Sequence, residues 1–244
     1  HIVSCMAEHH LDGTVLGLAW DGTGLGRDKT IWGGEFLVCT LKDFIRVGHI
    51  LPFPLPGGER AIREPRRSAA GLLAQLYSSP FVTGEDLIPV RSFSPEELRV
   101  VERMLNKGVN SPYTTSMGRL FDAVSSLLGI CHISTYEGQA AMELESLTRE
   151  FPLKYHFKLL REGDMTIIDP TTMIEEIVKD LDQARFYLGQ VNEERKRFDE
   201  ALKWYGSVSQ GEQYVNAHAR YAGILAKQGK LGDARRHLQE VSAH

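Results

Sequence analysis

Residues 14–26 read TVLGLAWDGTGLG, an apolar run that ends in a glycine-rich stretch. Two more runs rich in aromatic and β-branched residues follow at 30–40 and 44–49, separated by turn-forming residues. Runs of this composition between turn residues are typical of strands. We therefore predict an antiparallel meander with strands at 14–20, 30–40 and 44–49, joined by turns at 21–28 and 41–43.

The glycine-rich turn after the first strand supports two interpretations. Residues without side chains allow backbone amides to approach a phosphate, and the carboxylate of Asp21 could hold a cation against it. In this interpretation Asp21 binds a metal and Gly22, Thr23 and Gly24 surround a phosphate. Asp-Gly is also a common hairpin turn signal, so a purely structural role stays open.

A helix is predicted before the meander, over residues 2–10, with Asp12 and Gly13 stopping it. His1 stands at the head of this helix. An imidazole in that position either caps or packs against the helix or binds a ligand, and the residues alone leave the choice open.

Helical patterns dominate after the meander. An ordered loop with three prolines is predicted at 51–58, because each proline fixes its own backbone angle. Helices are then predicted at 68–78, from 95 to about 106, at 118–128 and at 136–149. The second of these begins at Ser94, a capping residue before a proline and two acids, and Gly108 is expected to stop it.

The last two predicted helices each carry a carboxylate next to a glycine. Asp122 follows Gly118, and Glu137 precedes Gly138. Carboxylates beside a close backbone approach are suited to accept hydrogen bonds from ribose hydroxyls. The alternative is that both carboxylates serve only the helix termini.

The composition changes near residue 181, where glycine and proline thin out and helix formers dominate. The sequence RFDEA at 197–201 recurs as KLGDA at 230–234, an offset of 33 residues. That offset is close to the tetratricopeptide period of about 34 residues. We predict two domains, residues 1–180 and an all-α helical-repeat segment at 181–244 that resembles tetratricopeptide repeats. A generic helical hairpin is the alternative.

Composition excludes several classes of protein. The chain has 244 residues, with 28 Lys and Arg against 32 Asp and Glu, for a net charge of −4. No cationic excess attracts nucleic acid, and no apolar run is long enough to suggest a membrane span. Cys5, Cys39 and Cys131 lie far apart, which favours buried thiols in a reducing cytoplasm over a disulfide framework.

Six motifs occur in one order along the chain: HIVSCMAEH at 1–9, WDGTG at 20–24, IWGGEF at 31–36, PLPGG at 54–58, GRLFD at 118–122 and STYEGQAA at 134–141. In this order they resemble the C-terminal region of the HypF family, the carbamoyltransferases of nickel–iron hydrogenase maturation. The resemblance covers about residues 1 to 180.

The resemblance implies a mixed α/β domain of the ribonuclease-H-like, actin-like fold that is shared with the tRNA-modifying enzyme TsaD. It also implies that carbamoyl phosphate and ATP give carbamoyl adenylate. The carbamoyl group then passes to the C-terminal cysteine of HypE, where dehydration yields a cyanide ligand.

By the same resemblance, His1 and Asp21 are ligands of a divalent metal, which is zinc, iron or magnesium. Asp122 and Glu137 contact the ribose, and Gly22, Thr23, Gly24 and Gly118 belong to the nucleotide site. No catalytic side chain is assigned, because HypE provides the attacking thiolate.

The resemblance also has gaps. The first histidine of the family's metal-binding pair would precede His1, and a final metal-binding loop would follow residue 180. We therefore expect a fragment that is inactive alone. Two rival functions stay open: a tetratricopeptide-type protein-interaction module with a dead first domain, or a tRNA-modifying enzyme similar to TsaD.

Overall fold

A computed structural model describes residues 1–77, 87–148, 155–208 and 212–241. Its contacts divide the chain into two compact units, His1–Glu176 and a second unit that begins at Ile177. Within the described ranges, no helix combines the length and apolar character that crossing a membrane would require.

The first unit contains a mixed sheet and helices. Its strands are β1 (Val15–Leu25), β2 (Ile31–Cys39), β3 (Phe44–Ile50), β4 (Phe53–Pro54), β5 (Tyr113–Thr114), β6 (Lys158–Glu162) and β7 (Met165–Asp169). Its helices are α1 (Ile2–Glu8), α2 (Arg60–Arg63), α3 (Pro65–Tyr77), α4 (Ile88–Arg91), α5 (Pro95–Lys107), α6 (Met117–Leu127), α7 (Gln139–Ser146) and α8 (Thr171–Lys179), which runs across the unit boundary.

The sheet runs in the order β4-β5-β2-β3-β7-β6, with β1 added on β2. Strands β1, β2 and β3 pair antiparallel, whereas β2 with β5 and β3 with β7 are parallel. The predicted mixed α/β class and the predicted three-stranded meander are both confirmed.

The turn between the first two strands was predicted in the wrong place. Strand β1 continues through Asp21 to Leu25, and its pairing with β2 is interrupted between Trp20 and Gly24. The chain reverses only at 26–30, where the Asp28 carboxylate accepts a hydrogen bond from the Thr30 N–H at 3.0 Å. The glycine-rich segment is therefore a bulge within a strand and not a hairpin tip, because β2 pairs with the chain on both sides of it.

Helix α3 begins at Pro65, three residues before the predicted start, and its first nine residues are buried. A Cβ on Gly71 would stand 1.8 Å from the Pro54 carbonyl oxygen, so the helix lies directly against the proline-containing loop. The absence of a side chain at residue 71 makes this contact possible. Ser78, the predicted last residue of this helix, lies outside the described residues.

Helix α5 follows its sequence signals closely. The Ser94 hydroxyl accepts a hydrogen bond from the Glu97 N–H, the Glu97 carboxylate accepts one from the Ser94 N–H, and Gly108 ends the helix in the left-handed conformation. Helix α7 is shorter than predicted, since Gly138 has a φ of +76° and the right-handed helix starts only after it. Arg149, the predicted end of that helix, lies outside the described residues.

The described part of the second unit is helical, with α9 (Leu181–Glu194), α10 (Phe198–Gly206), α11 (Tyr214–Lys227) and α12 (Leu231–Val241). Tyr205 is fully buried against Phe186, Ala201 and Ile224. Its ring lies so close to Gly189 that a Cβ there would stand 2.5 Å from it. This contact pairs a small and a large residue of the predicted repeat; the assignment to tetratricopeptide repeats stays a prediction.

The three cysteines are free and differ in exposure. Cys39 and Cys131 are buried, as predicted, and burial raises the pKa of both thiols. Cys5 is exposed on α1, so the prediction of a buried thiol is wrong there. The seven-residue helix α1 buries only Met6, and Cys5 lies on its exposed side.

Candidate functional site

The bulge in β1 is fixed against the start of α6. The Ser116 hydroxyl lies 2.8 Å from the Asp21 carbonyl oxygen and 2.9 Å from that of Gly22, and it also caps α6 by accepting the Arg119 N–H at 3.1 Å. A Cβ on Gly118 would stand 2.8 Å from the Gly22 Cα, so the loop and the helix meet backbone to backbone. The predicted residues Gly22 and Gly118 are therefore in direct contact.

A buried carboxylate holds the segment that carries Ser116. Glu35 on β2 accepts a hydrogen bond from the Thr115 hydroxyl and another from the Arg46 guanidinium. A Cβ on Gly34 would stand 2.3 Å from the Thr115 carbonyl oxygen, so this segment also lies directly on β2. The sheet thereby fixes the position of the α6 N-terminus relative to the bulge.

His1 and Asp21 lie side by side at the outer end of the bulge. The distance from His1 Nε2 to Asp21 Oδ2 is 3.1 Å, and the second carboxylate oxygen accepts the Gly22 N–H at 2.6 Å. His1 precedes α1 directly, as predicted, and both side chains are accessible to solvent. A nitrogen and an oxygen donor at this separation suit two ligand positions of a divalent cation. Among the described residues, no third His, Cys, Asp or Glu donor joins this pair.

An open cleft of about 550 Å³ begins at His1. The side chains of Ala19, Leu37 and Cys39 contribute apolar surface, and Arg27 and Lys42 contribute positive charge. A small molecule held at the bulge would therefore have open space on the His1 side.

Asp122 lies in the middle of α6 and not at its start, which corrects the position assumed for a helix-terminal role. Burial raises its pKa to about 6, although the charge of Arg119 acts in the opposite direction. The Asp122 Oδ2 atom lies 2.7 Å from Arg119 Nη1. The structure thus connects this predicted residue to the glycine loop through a buried arginine.

Glu137 and Thr23 are the outer members of the predicted set. Glu137 is exposed in the turn before α7, and in the described part of the chain no hydrogen bond joins it to the other predicted residues. Thr23 is exposed at the top of the bulge, where its hydroxyl donates to the Gly22 carbonyl at 2.6 Å. Gly24 resumes the pairing with β2 opposite Trp32. The structure therefore groups His1, Asp21, Gly22 and Gly118 most closely.

Sequence reasoning missed Ser116 and Arg119 as parts of this site. Ser116 has a detectable signal, because serine two residues before a glycine at a helix start is a typical capping position. Arg119 has a weaker signal, a single cation in a helix segment that is mostly apolar. Neither signal reveals a contact with residues almost 100 positions earlier in the chain.

Comparison with known proteins places this arrangement in one family. Residues 17–201 match the family described as "Carbamoyltransferase, Kae1-like Domain, second subdomain". This match extends 21 residues beyond the predicted domain boundary at 180.

Curated relatives agree. The chain is 44% identical over 151 residues to carbamoyltransferase HypF2 of Cupriavidus necator, covering 62% of this chain and 18% of that protein. It is 40% identical over 169 residues to carbamoyltransferase HypF of Synechocystis, covering 62% and 22%. The chain therefore spans about a fifth of the length of these relatives.

A solved structure of full-length HypF in its phosphate- and nucleotide-bound form superposes with a TM-score of 0.67 and 35% identity, covering 100% of this chain and 37% of that one. The resemblance predicted from the motifs is therefore confirmed. The chain belongs to the HypF carbamoyltransferase family, and the part that matches is the second subdomain of its Kae1-like domain.

Proposed function

We propose that this chain binds carbamoyl adenylate at the β1 bulge and presents its carbamoyl group to an acceptor thiolate. The observation that carries the proposal is the attachment of the bulge, through Ser116 and Gly118, to the start of α6 beside the His1–Asp21 pair. A rigid backbone loop is suited to bind a phosphate because its groups need little reorganisation. The nucleotide-bound HypF structure provides independent support.

The proposed reaction is an acyl transfer. Carbamoyl phosphate and ATP supply the carbamoyl adenylate, and the acceptor is the C-terminal cysteine of HypE. The thiolate sulfur bonds to the carbamoyl carbon while the bond from that carbon to the phosphate oxygen breaks, which releases AMP. The role proposed for this chain is to hold the adenylate phosphate in place so that the carbamoyl carbon faces the open side of the site.

His1 and Asp21 are proposed as ligands of a divalent zinc, iron or magnesium ion, to which they offer one nitrogen and one oxygen donor. Such an ion would neutralise phosphate charge as the leaving group departs. Because both side chains are already adjacent, the chain needs no large rearrangement to offer these donors.

Asp122 and Glu137 are proposed as ribose acceptors. Glu137 is exposed and free to accept a hydroxyl. Asp122 has one oxygen beside Arg119, so a ribose hydroxyl would compete with that arginine or use the other oxygen. We further propose a cytoplasmic location, which agrees with three free cysteines.

Calorimetric titration of the full chain with AMP, ATP and GMP in the presence of zinc tests the proposal. We expect adenine nucleotides to bind and Asp21→Asn to weaken them at least fivefold. Asp164→Asn, a change in the exposed β6–β7 turn, is the matched control and should leave affinity unchanged. If no adenine nucleotide binds, the nucleotide site is refuted.

Exposed apolar residues on α12 favour a second function, protein binding by the helical unit. Ala234 is buried on α12, whereas Leu231 is 68% and Leu238 45% exposed. These two leucines are seven residues apart and so lie on the same face of α12, where we propose that a protein partner would pack. A chain that binds a partner through this unit but binds no nucleotide would be an interaction module and not a transferase domain.

A further inference from the structure

Arg119 is a buried cation directly beneath the glycine loop. The residue is only 6% exposed and lies in the first turn of α6. Its Nη1 atom donates to the Ile62 carbonyl oxygen at 3.2 Å and lies 2.7 Å from the Asp122 carboxylate. The Nη1 atom of the guanidinium is therefore occupied by contacts within the protein.

The opposite edge of the guanidinium has no such contacts with the described residues. Nε is buried without a hydrogen-bond partner, and Nη2 has none among the residues that the structure describes. Nε and Nη2 together form the edge with which arginine pairs with two oxygens of a phosphate or carboxylate. Since an unpaired buried donor is costly, this free edge would be stabilised by an oxyanion that is not part of the described chain.

The Nη2 atom of this edge lies next to the bulge. A Cβ built on Gly22 would stand 3.6 Å from Arg119 Nη2, the distance of an ordinary van der Waals contact, so the loop backbone and this nitrogen are close neighbours. Asp21 and Gly22 are held in place there by Ser116, and the loop cannot move away from the arginine without breaking those hydrogen bonds.

We propose that Arg119 binds a phosphoryl group at the β1 bulge through Nε and Nη2, while Nη1 stays anchored to Ile62 and Asp122. This inference rests on the proposed function for the identity of the ligand, a nucleoside monophosphate ester, but not for the presence of an oxyanion site. Asp122 then acts as a positioning residue that orients the guanidinium.

The test is calorimetry on the full chain with AMP, adenosine and inorganic phosphate, using wild type, Arg119→Lys and Gly22→Ala. We expect Arg119→Lys to weaken AMP at least tenfold, because lysine lacks the second donor of the fork, and to change adenosine less than twofold. Gly22→Ala places a methyl group in contact with Nη2, where it would hinder a phosphoryl oxygen, and should also weaken AMP while leaving the Arg119–Asp122 pair intact. Arg99→Lys, an exposed arginine on α5, is the control.

The outcomes separate this inference from the proposed function. If both variants bind AMP as wild type does, or if adenosine weakens as much as AMP, Arg119 is only structural and the inference is overturned. If inorganic phosphate binds in an Arg119-dependent way but no nucleotide binds, the oxyanion site stands and the proposed function fails. If wild type binds none of the three, both are refuted. Hydrogen exchange of α6 shows whether Arg119→Lys folds. If Arg119→Lys does not fold, the AMP affinity of Gly22→Ala tests the inference.

Discussion

Replacing Ser116 by alanine should damage both the fold and the site, because one hydroxyl serves two elements. It accepts the Arg119 N–H at the start of α6 and contacts the Asp21 and Gly22 carbonyl oxygens of the bulge. Loss of a helix N-cap costs about 1 kcal/mol. Partly buried carbonyl oxygens left without a donor add about 1–3 kcal/mol. We therefore expect Ser116→Ala to cost about 2–4 kcal/mol.

Ser94→Ala is the matched control. Ser94 caps α5 through the same bond to the third residue of the helix, but it is exposed, and among the described residues its hydroxyl bonds to no other segment. Its loss should cost about 1 kcal/mol, the ordinary value of a cap. The comparison isolates the part of the effect that comes from the bulge.

Hydrogen exchange measured by mass spectrometry reports the local opening free energy in peptides from β1, β2 and α6, separately from the helical unit. The expected difference between the two variants, about 1–3 kcal/mol, corresponds to an exchange rate roughly 5- to 150-fold faster in Ser116→Ala. AMP affinity should fall in this variant alone. Equal opening free energies in the two variants would show that Ser116 is an ordinary cap and that the bulge is held by other contacts.

Four further predictions follow from the same structure. Asp21→Asn should lower the metal content measured by mass spectrometry while Asp164→Asn does not; full occupancy in Asp21→Asn would make Asp21 a turn residue only. Burial raises the pKa of Glu64, but hydrogen bonds and charges from Arg67, Arg60 and Arg66 outweigh burial and lower it, so its contribution is present above about pH 4.5 and is lost as pH falls through the lowered pKa. Glu64→Gln should cost about 3–5 kcal/mol at pH 7 and remove this acid dependence in urea unfolding, and an unchanged pH profile would contradict the assignment. The pKa of Asp122 is raised to about 6, so the folded state binds its proton more tightly and stability should decline as pH rises from about 4 to about 6; Asp122→Asn should flatten that decline. Gly189→Ala places a Cβ 2.5 Å from the Tyr205 ring and should cost about 1–3 kcal/mol, whereas Gly223→Ala meets nothing within 4 Å and should stabilise α11 by up to about 1 kcal/mol; equal effects in urea unfolding followed by circular dichroism would refute the packing argument.

Elements whose signals are local could be predicted from the sequence. Helix α5 is an example, since Ser94, the following proline and Gly108 determine its ends through contacts within a few residues. The meander is another, because apolar and aromatic runs between turn residues indicate its three strands, although the first turn lies later in the chain than predicted. These features depend on residues that are close together in the sequence, so they can be predicted from it.

The errors in the predicted structure occur where contacts between residues far apart in the sequence determine the conformation. The residues at 21–25 have turn chemistry, yet they continue β1 because β2 pairs with Gly24 and Leu25 beyond the bulge. Helix α3 starts early because its first residues are buried on all sides, so no amphipathic pattern marks them. The site shows the same limit: His1, Asp21, Gly22 and Gly118 carry recognisable motifs, whereas the links made by Ser116 and Arg119 exist only in the folded chain.

The pairing on both sides of the bulge in β1 indicates how this part of the site could be removed by mutation. Trp20 pairs with Gly34, and Gly24 pairs with Trp32. Between these two pairs β1 advances by four residues and β2 by only two, so the loop is a two-residue insertion within an otherwise continuous ladder. Deleting Gly22 and Thr23 would restore a regular register without lengthening or shortening the hairpin on either side. Such a chain would keep the β1–β2 pairing and lose the contacts of Gly22 and Thr23, whereas Asp21 would remain in the strand. The loop is thus separable from the scaffold that positions it, and a loop of different length could be placed there without redesigning the sheet.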